Sequence, residues 1–153
     1  MTQLPILDLS LSTEDDTIQM ARRFARILRG GDVLLLEGDI GAGKTFFARA
    51  LIRERLGYPE DVPSPTFTLV QTYEADVAIW HCDLYRLSHP NEAVELGLQD
   101  AFETAICLIE WPDRLGELCP ETALRLEFKA GDHHSVRITG PADWKRRLES
   151  EYA

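Results

Sequence analysis

The chain of 153 residues carries only three cysteines, Cys82, Cys107 and Cys119, and no C-x-x-C pair. An odd, unpatterned set excludes a disulfide framework and a cysteine-ligated zinc site, and points to reduced thiols in the cytosol. No apolar run approaches the ~20 residues that cross a bilayer, so no contact with a membrane is expected. The start, MTQLPILDLS, lacks the basic stretch of a secretory leader. Cations are scarce: 16 Lys and Arg stand against 26 Asp and Glu, a net charge of −10 that argues against gripping a nucleic-acid backbone unaided. The two small basic groups, Arg22-Arg23-Arg26-Arg29 and Lys145-Arg146-Arg147, read as a solvated helix face and the flank of a terminal helix. There is no H-E-x-x-H, no His/Cys cluster with metal spacing and no supportable Ser/His/Asp set. Internal repeats, low-complexity tracts and linkers are also missing. With 44% hydrophobic residues, this is the profile of a single domain, residues 1–153, with a real core.

What the chain does have is GDIGAGKT, from Gly38 to Thr45. The pattern is G-x-x-x-x-G-K-[ST], the phosphate-binding loop. Gly38, Gly41 and Gly43 allow backbone angles that side chains forbid, so consecutive N–H groups can close round a phosphate. Asp39, Ile40 and Ala42 complete the cradle. Lys44 brings an ammonium to the outer phosphates, and the Thr45 hydroxyl can ligate Mg²⁺. Before the loop, the apolar run Asp32–Glu37 suits a buried parallel strand. After it, Phe46 to Leu56 suits a helix whose N-terminus faces the anion. The glycines do not form G-x-G-x-x-G, which disfavours a dinucleotide.

The remaining elements follow from periodicity. A helix is expected from about Ser12, with Ile18, Ala21, Phe24, Ala25 and Leu28 on one face and Gly30-Gly31 beyond it. Residues 58–65 are a proline-rich loop. Thr66–Tyr73 and Val77–Cys82 alternate on either side of a three-residue turn and predict an antiparallel hairpin. Pro90–Leu96 predicts a short helix, Ala105–Glu110 a buried strand stopped by Trp111-Pro112. Thr122–Phe128 and Ser135–Thr139 predict two more strands. A last helix after Gly140-Pro141 has Trp144 and Leu148 on one face.

A phosphate loop works with a metal and an acid, and an acid at the end of a buried strand is the usual partner. Glu110 ends AICLIE, and Asp83 follows VAIWHC. One would join the Mg²⁺ shell and the other would orient or deprotonate the attacking water; the residues alone do not assign which. Thr66, after Ser64-Pro65, could sense the γ-phosphate as a switch residue does, or simply open a strand. Arg86 could neutralise phosphate or pair with a surface acid. Trp111 could stack on a base or lie in the core. His81 reads as a core or edge histidine, and His133-His134 as exposed turn residues.

Taken in order, GDIGAGKT, VPSPTFTLV, HCDLYRL, ELGLQD and LIEWPDRL resemble the bacterial TsaE (YjeE) family, over residues 10 to 140. Phe46, where many members carry a second threonine, and Cys82, where an aromatic is common, depart from the pattern. The resemblance implies a three-layer α/β P-loop NTPase-like domain with a mixed, mainly parallel sheet and a β-hairpin insertion. It implies that ATP and Mg²⁺ are bound and that ATP is hydrolysed slowly by the chain alone. It further implies action with TsaB and TsaD in threonylcarbamoyl transfer to adenosine in tRNA, TsaD performing the transfer and tRNA being met mainly through the complex. Carried over, Lys44 cradles the phosphates, with Phe46 at the loop's end, and Thr45 ligates Mg²⁺. Thr66 acts as a switch-like sensor, Asp83 activates water, Glu110 joins the metal site, and Trp111 lies beside the nucleotide. The expected cellular place is the cytoplasm. Rival readings are a nucleoside or small-molecule kinase, disfavoured by the short segment 112–120 with its single arginine, and a GTP switch, disfavoured by the missing N-K-x-D. A nucleotide-dependent binding module is closer to the main reading.

Overall fold

The computed structural model describes residues 2–65 and 68–152. In chain order the elements are β1 (Leu4–Ser10), α1 (Glu14–Ile27), β2 (Val33–Glu37), α2 (Lys44–Leu56), β3 (Val70–Glu74), β4 (Ala78–Asp83) and α3 (Asn91–Glu95). They continue with α4 (Leu98–Thr104), β5 (Ile106–Glu110), an irregular 3₁₀ stretch (Pro112–Leu118), β6 (Leu124–Lys129), β7 (Ser135–Gly140) and α5 (Ala142–Tyr152). The strands form a seven-stranded sheet in the order β1-β7-β6-β2-β5-β4-β3. The central strands β6, β2, β5 and β4 run parallel, and both flanks are closed by antiparallel partners. This is the expected mixed α/β sheet, with the hairpin β3–β4 on one edge.

The two innermost strands, β2 and β5, are buried on both faces, which is why they read as unbroken apolar runs rather than alternating ones. On β2, Leu34 and Leu36 pack into one cluster with Phe24, Phe47, Leu51, Trp144 and Leu148, beneath α1, α2 and α5. Val33 and Leu35 face the opposite way, toward Ala93, Leu98, Ala101 and Leu115 from α3, α4 and the 3₁₀ stretch. Three layers result. The connection leaving β2 crosses one face through α2, while the one leaving β5 crosses the other. Ligands of open α/β sheets bind at such a divide, outside the carboxyl ends of the strands.

Several boundaries differ from the sequence reading. Helix α1 is capped by Thr13, whose hydroxyl accepts from the Asp16 N–H while the Asp16 carboxylate accepts from the Thr13 N–H, one residue later than expected. Strand β1 was not expected: a register shift between Pro5 and Leu7 breaks its alternation. Helix α4 was also missed, because Gly97 ends one helix and, at φ 86°, opens the next. The expected strand Thr66–Tyr73 begins at Val70; its first two residues lie outside the described residues, and Thr68-Leu69 form a turn. The basic residues of α1 are not merely solvated. Arg26 pairs with Glu151 at 2.6 Å, Arg22 with Glu54 at 3.4 Å, and the Arg23 guanidinium lies 4.7 Å from the centre of the Tyr152 ring. Arg147 is likewise taken up by the fold, bonding Asp32 at 2.7 Å and the Ile27 carbonyl at 2.7 Å.

Phe47 is fully buried and joins the layers, its ring 5.8 Å from that of Phe24 on α1 and 5.5 Å from that of Phe128 on β6. Removing it leaves a void that a close-packed interior refills only in part. Phe47→Ala should therefore lose about 3–5 kcal/mol in urea unfolding; a loss below ~1 kcal/mol would mean that α2 does not tie α1 to the sheet.

Candidate functional site: a phosphate loop facing two strand-end acids

Two backbone constraints shape the loop between β2 and α2. Gly43, the residue before α2, sits at φ 109° with open space around a notional Cβ, so its conformation alone demands glycine. Gly38 is crowded as well: at φ 133°, a Cβ would lie 2.4 Å from the Phe128 carbonyl oxygen. Between them Ala42 is buried, whereas Asp39 and Ile40 are exposed, Ile40 at 80%. Helix α2 starts at Lys44 with no side-chain cap, so its first N–H groups remain available to an anion at the end of the helix dipole.

Parallel pairing sets the acids. Leu36 of β2 lies opposite Glu110 of β5, and Glu110 lies opposite Asp83 of β4. Both acids thus stand at the carboxyl edge beside the loop, and both are buried. The Thr45 hydroxyl donates to Glu110, its oxygen 3.0 Å from Oε1 and 3.2 Å from Oε2. Asp83 Oδ1 accepts the Tyr85 backbone N–H at 3.1 Å. A groove of about 420 Å³ opens over them, lined by Lys44, Thr45, Phe46, Asp83, Glu110 and Trp111 among others. A second groove, of about 510 Å³, adjoins it past Gly38, Asp39 and Trp111 and reaches Phe128 and Ala130.

Lys44 is 5% exposed and folded back: its ammonium donates to the Gly38 carbonyl at 2.6 Å and lies 3.8 Å from the centre of the Trp111 ring. Burial pushes its pKa below the usual 10.5, while Glu110, Asp83, Asp39 and Asp113 pull the other way. Trp111 adopts φ 58°, a left-handed angle unusual for an aromatic residue, and packs on Tyr85 with ring centres 4.9 Å apart.

The structure therefore brings Gly38, Gly41, Gly43, Lys44, Thr45, Phe46, Asp83, Glu110 and Trp111 to one region. Thr66 lies outside the described residues. Arg86 is exposed and does not line the groove; His133 and His134 are exposed, as read from the sequence. Two contributors were missed. Tyr85 lines the groove and backs Trp111. His81, read as a core or edge histidine, is fully buried but bonds Glu110 Oε2 at 2.7 Å. A lone histidine on a strand carries no local signal for this, since the contact depends on β4 lying next to β5. Among the described residues, no group of three or more His, Cys, Asp and Glu could hold a metal alone, and no helix is long and apolar enough to cross a membrane.

A glycine loop joining a buried parallel strand to a helix, at the carboxyl edge of a three-layer sheet, defines a P-loop NTPase-like protein. Residues 11–138 match the family model described as threonylcarbamoyl adenosine biosynthesis protein TsaE. The chain is 42% identical to the tRNA threonylcarbamoyladenosine biosynthesis protein TsaE of Rickettsia bellii, covering 80% of this chain and 85% of that one. It is 40% identical to the protein of that name from Bacillus subtilis, over 77% of this chain and 75% of the relative. The crystal structure of Bacillus subtilis YdiB superposes with a TM-score of 0.80 at 28% identity, covering 99% of this chain and 95% of that one. The chain belongs to the TsaE family, which acts in tRNA threonylcarbamoyladenosine biosynthesis.

Lys44 gives a prediction with a definite sign. Because its folded pKa is lowered, the unfolded chain binds more protons between that value and 10.5, and stability rises with pH through this window. Without nucleotide, Lys44→Met should be more stable than the wild type at pH 7, and its advantage should shrink as the pH climbs toward 10.5. Urea unfolding at a series of pH values reads this directly. A variant less stable at neutral pH would show that the ammonium is a net stabiliser of the empty loop.

Proposed function

We propose that the chain works as one domain over residues 1–153, binds ATP with Mg²⁺ and hydrolyses it slowly on its own. In the cytoplasm it serves TsaB and TsaD, which carry threonylcarbamoyl to adenosine in tRNA. The observation that carries this reading is the Thr45–Glu110 contact, which joins the phosphate loop to a buried strand-end acid beside Asp83. The donor set fits Mg²⁺: a hydroxyl and carboxylates are hard oxygen ligands. When bound, the metal would draw off charge that develops on the transferring phosphoryl group.

The chain's own residues would divide the remaining work. The loop N–H groups and the start of α2 hold phosphate oxygens. Lys44 leaves the Gly38 carbonyl and the Trp111 face to meet the outer phosphates. Thr45 and Glu110 would hold the metal: the Thr45 oxygen has lone pairs free for it while its hydroxyl proton remains hydrogen-bonded to the Glu110 carboxylate. Asp83, one strand further out and not bonded to Thr45, orients the attacking water and takes its proton. The nucleoside end lies in the neighbouring groove beside Gly38, Asp39 and Trp111. With the net charge at −10, contacts to tRNA fall mainly to the partners.

Lys44→Ala should lose nucleotide binding in a fluorescent-ATP titration; unchanged affinity would remove the site from this loop. Glu110→Ala should weaken Mg²⁺-dependent turnover by about 10²-fold or more while sparing binding of metal-free nucleotide, in line with the loss of a charge-stabilising group. An equal loss of both would make Glu110 structural. The pathway reading is tested by ATP hydrolysis alone and then with TsaB, TsaD and tRNA, with modified adenosine counted in parallel. Slow turnover alone and a need for ATP cycling in repeated modification are expected. Modification indifferent to hydrolysis would leave the loop assignment standing and remove the role in the cycle.

A further inference from the structure

Behind the two acids lies a titratable side chain that the steps above do not use. His81 is 0% exposed, on β4, two residues before Asp83 and one strand away from Glu110. Its Nε2 lies 2.7 Å from Glu110 Oε2, and its Nδ1 has no hydrogen-bond partner among the described residues. This pattern fixes the tautomer. A proton on Nδ1 would be a buried donor with no acceptor, whereas a proton on Nε2 has a carboxylate oxygen in line for it. A bare ring lone pair is the cheaper of the two orphans.

We infer that His81 is the positioning residue of the metal-shell carboxylate: as an Nε2–H donor it pins Glu110 Oε2 so that the carboxylate stays turned toward Thr45. The inference rests on the reading of Glu110 given above. A glutamate side chain has three rotatable bonds, and Thr45 alone reaches it through a hydroxyl that itself rotates. Thr45 must also share its oxygen with the metal. A rigid ring held in the sheet, by contrast, does not share its donor with the metal. Metal-binding carboxylates are commonly held in this way by a donor behind them, and loss of such a partner typically costs 10–100-fold in metal affinity or activity. A histidine that merely filled core volume would gain nothing from its polar ring, since burial of that ring is unfavourable without a bond.

The test compares wild type, His81→Leu and His81→Gln; the glutamine amide can place an N–H near the position of Nε2. His81→Leu should need about 10-fold more Mg²⁺ for half-maximal ATP turnover, and about 10-fold more Mn²⁺ in an electron paramagnetic resonance titration with ATP present. Affinity for metal-free nucleotide should change less than two-fold. His81→Gln should recover most of the metal affinity. Independently of metal, long-range ¹H–¹⁵N spectra of the ligand-free wild type should show one imidazole as the Nε2–H tautomer, its signals absent in His81→Gln and moved in Glu110→Gln. The spectra keep the test open if His81→Leu fails to fold. An Nδ1–H tautomer, an unchanged metal requirement in His81→Leu, or a glutamine variant no better than leucine would each overturn the inference while the functional reading stands. A wild type with no Mg²⁺-dependent nucleotide binding would instead remove the functional reading, and this inference with it.

Discussion

A carboxylate at 2% exposure cannot stand alone, and the arrangement of the site follows from how Glu110 is kept company. An isolated buried charge would take up a proton or force the fold apart. Here the Thr45 hydroxyl approaches from the phosphate loop, His81 from the neighbouring strand, and the Lys44 ammonium adds an attractive field. Thr45 and Lys44 stand at the start of α2, directly after the loop, His81 stands on β4, and Glu110 itself ends β5. The loop, β4 and β5 are thus held in register by one side chain, and the position of the loop over the sheet is set by polar contacts as much as by the apolar layer beneath α2.

The parts of this plan that were legible in the sequence are those with local causes. The run 32–37, the glycine loop and the helix after it follow from rules spanning a few residues. Strand β5 and the hairpin were equally plain, because buried parallel strands read as apolar runs and the hairpin's two arms are separated by a short turn. Strand β1 was hidden by its irregular pairing, and α4 by a glycine that both ends and begins a helix. Asp83 and Glu110 could be picked as strand-end acids. That they stand opposite each other depends on β4 pairing with β5, a contact between segments 27 residues apart, as Asp83 and Glu110 are. No local pattern encodes that pairing, so the same fact that unites the acids concealed His81. The basic groups misled in the other direction: charge on a helix face looked solvated, but the terminal helix folds back onto α1, where its Glu151 takes up Arg23 and Arg26 and its own Arg147 donates to the Ile27 carbonyl.

The electrostatics of the site are local rather than global. A chain of net charge −10 repels a polyphosphate at long range, and Glu110, Asp83, Asp39 and Asp113 lie close enough to act on Lys44. Attraction must therefore come at short range from Lys44, the loop N–H groups and the start of α2. On the proposed reading this balance selects the form in which the nucleotide enters. A bare polyphosphate would bring more negative charge to an acidic rim, whereas its magnesium complex carries part of the neutralising charge with it. The acids then discriminate against metal-free nucleotide as well as serving the metal.

The loop also carries two unfavourable features. Lys44 is buried without a carboxylate bonded to it among the described residues, satisfied by a carbonyl and an aromatic face, and Trp111 holds a left-handed backbone angle that costs about 1–2 kcal/mol for a residue with a Cβ. Each unfavourable feature holds the other in place: the ring that Lys44 covers is the ring presented by the strained residue, with Tyr85 packed behind it. A ligand that draws the ammonium away removes one support of the Trp111 conformation at the moment it fills the groove beside it. Behind Tyr85 stands Arg114, whose guanidinium lies 5.7 Å from the centre of the Tyr85 ring. Trp111 and Tyr85 line the groove, and Arg114 is an exposed residue of the 3₁₀ stretch that follows Trp111.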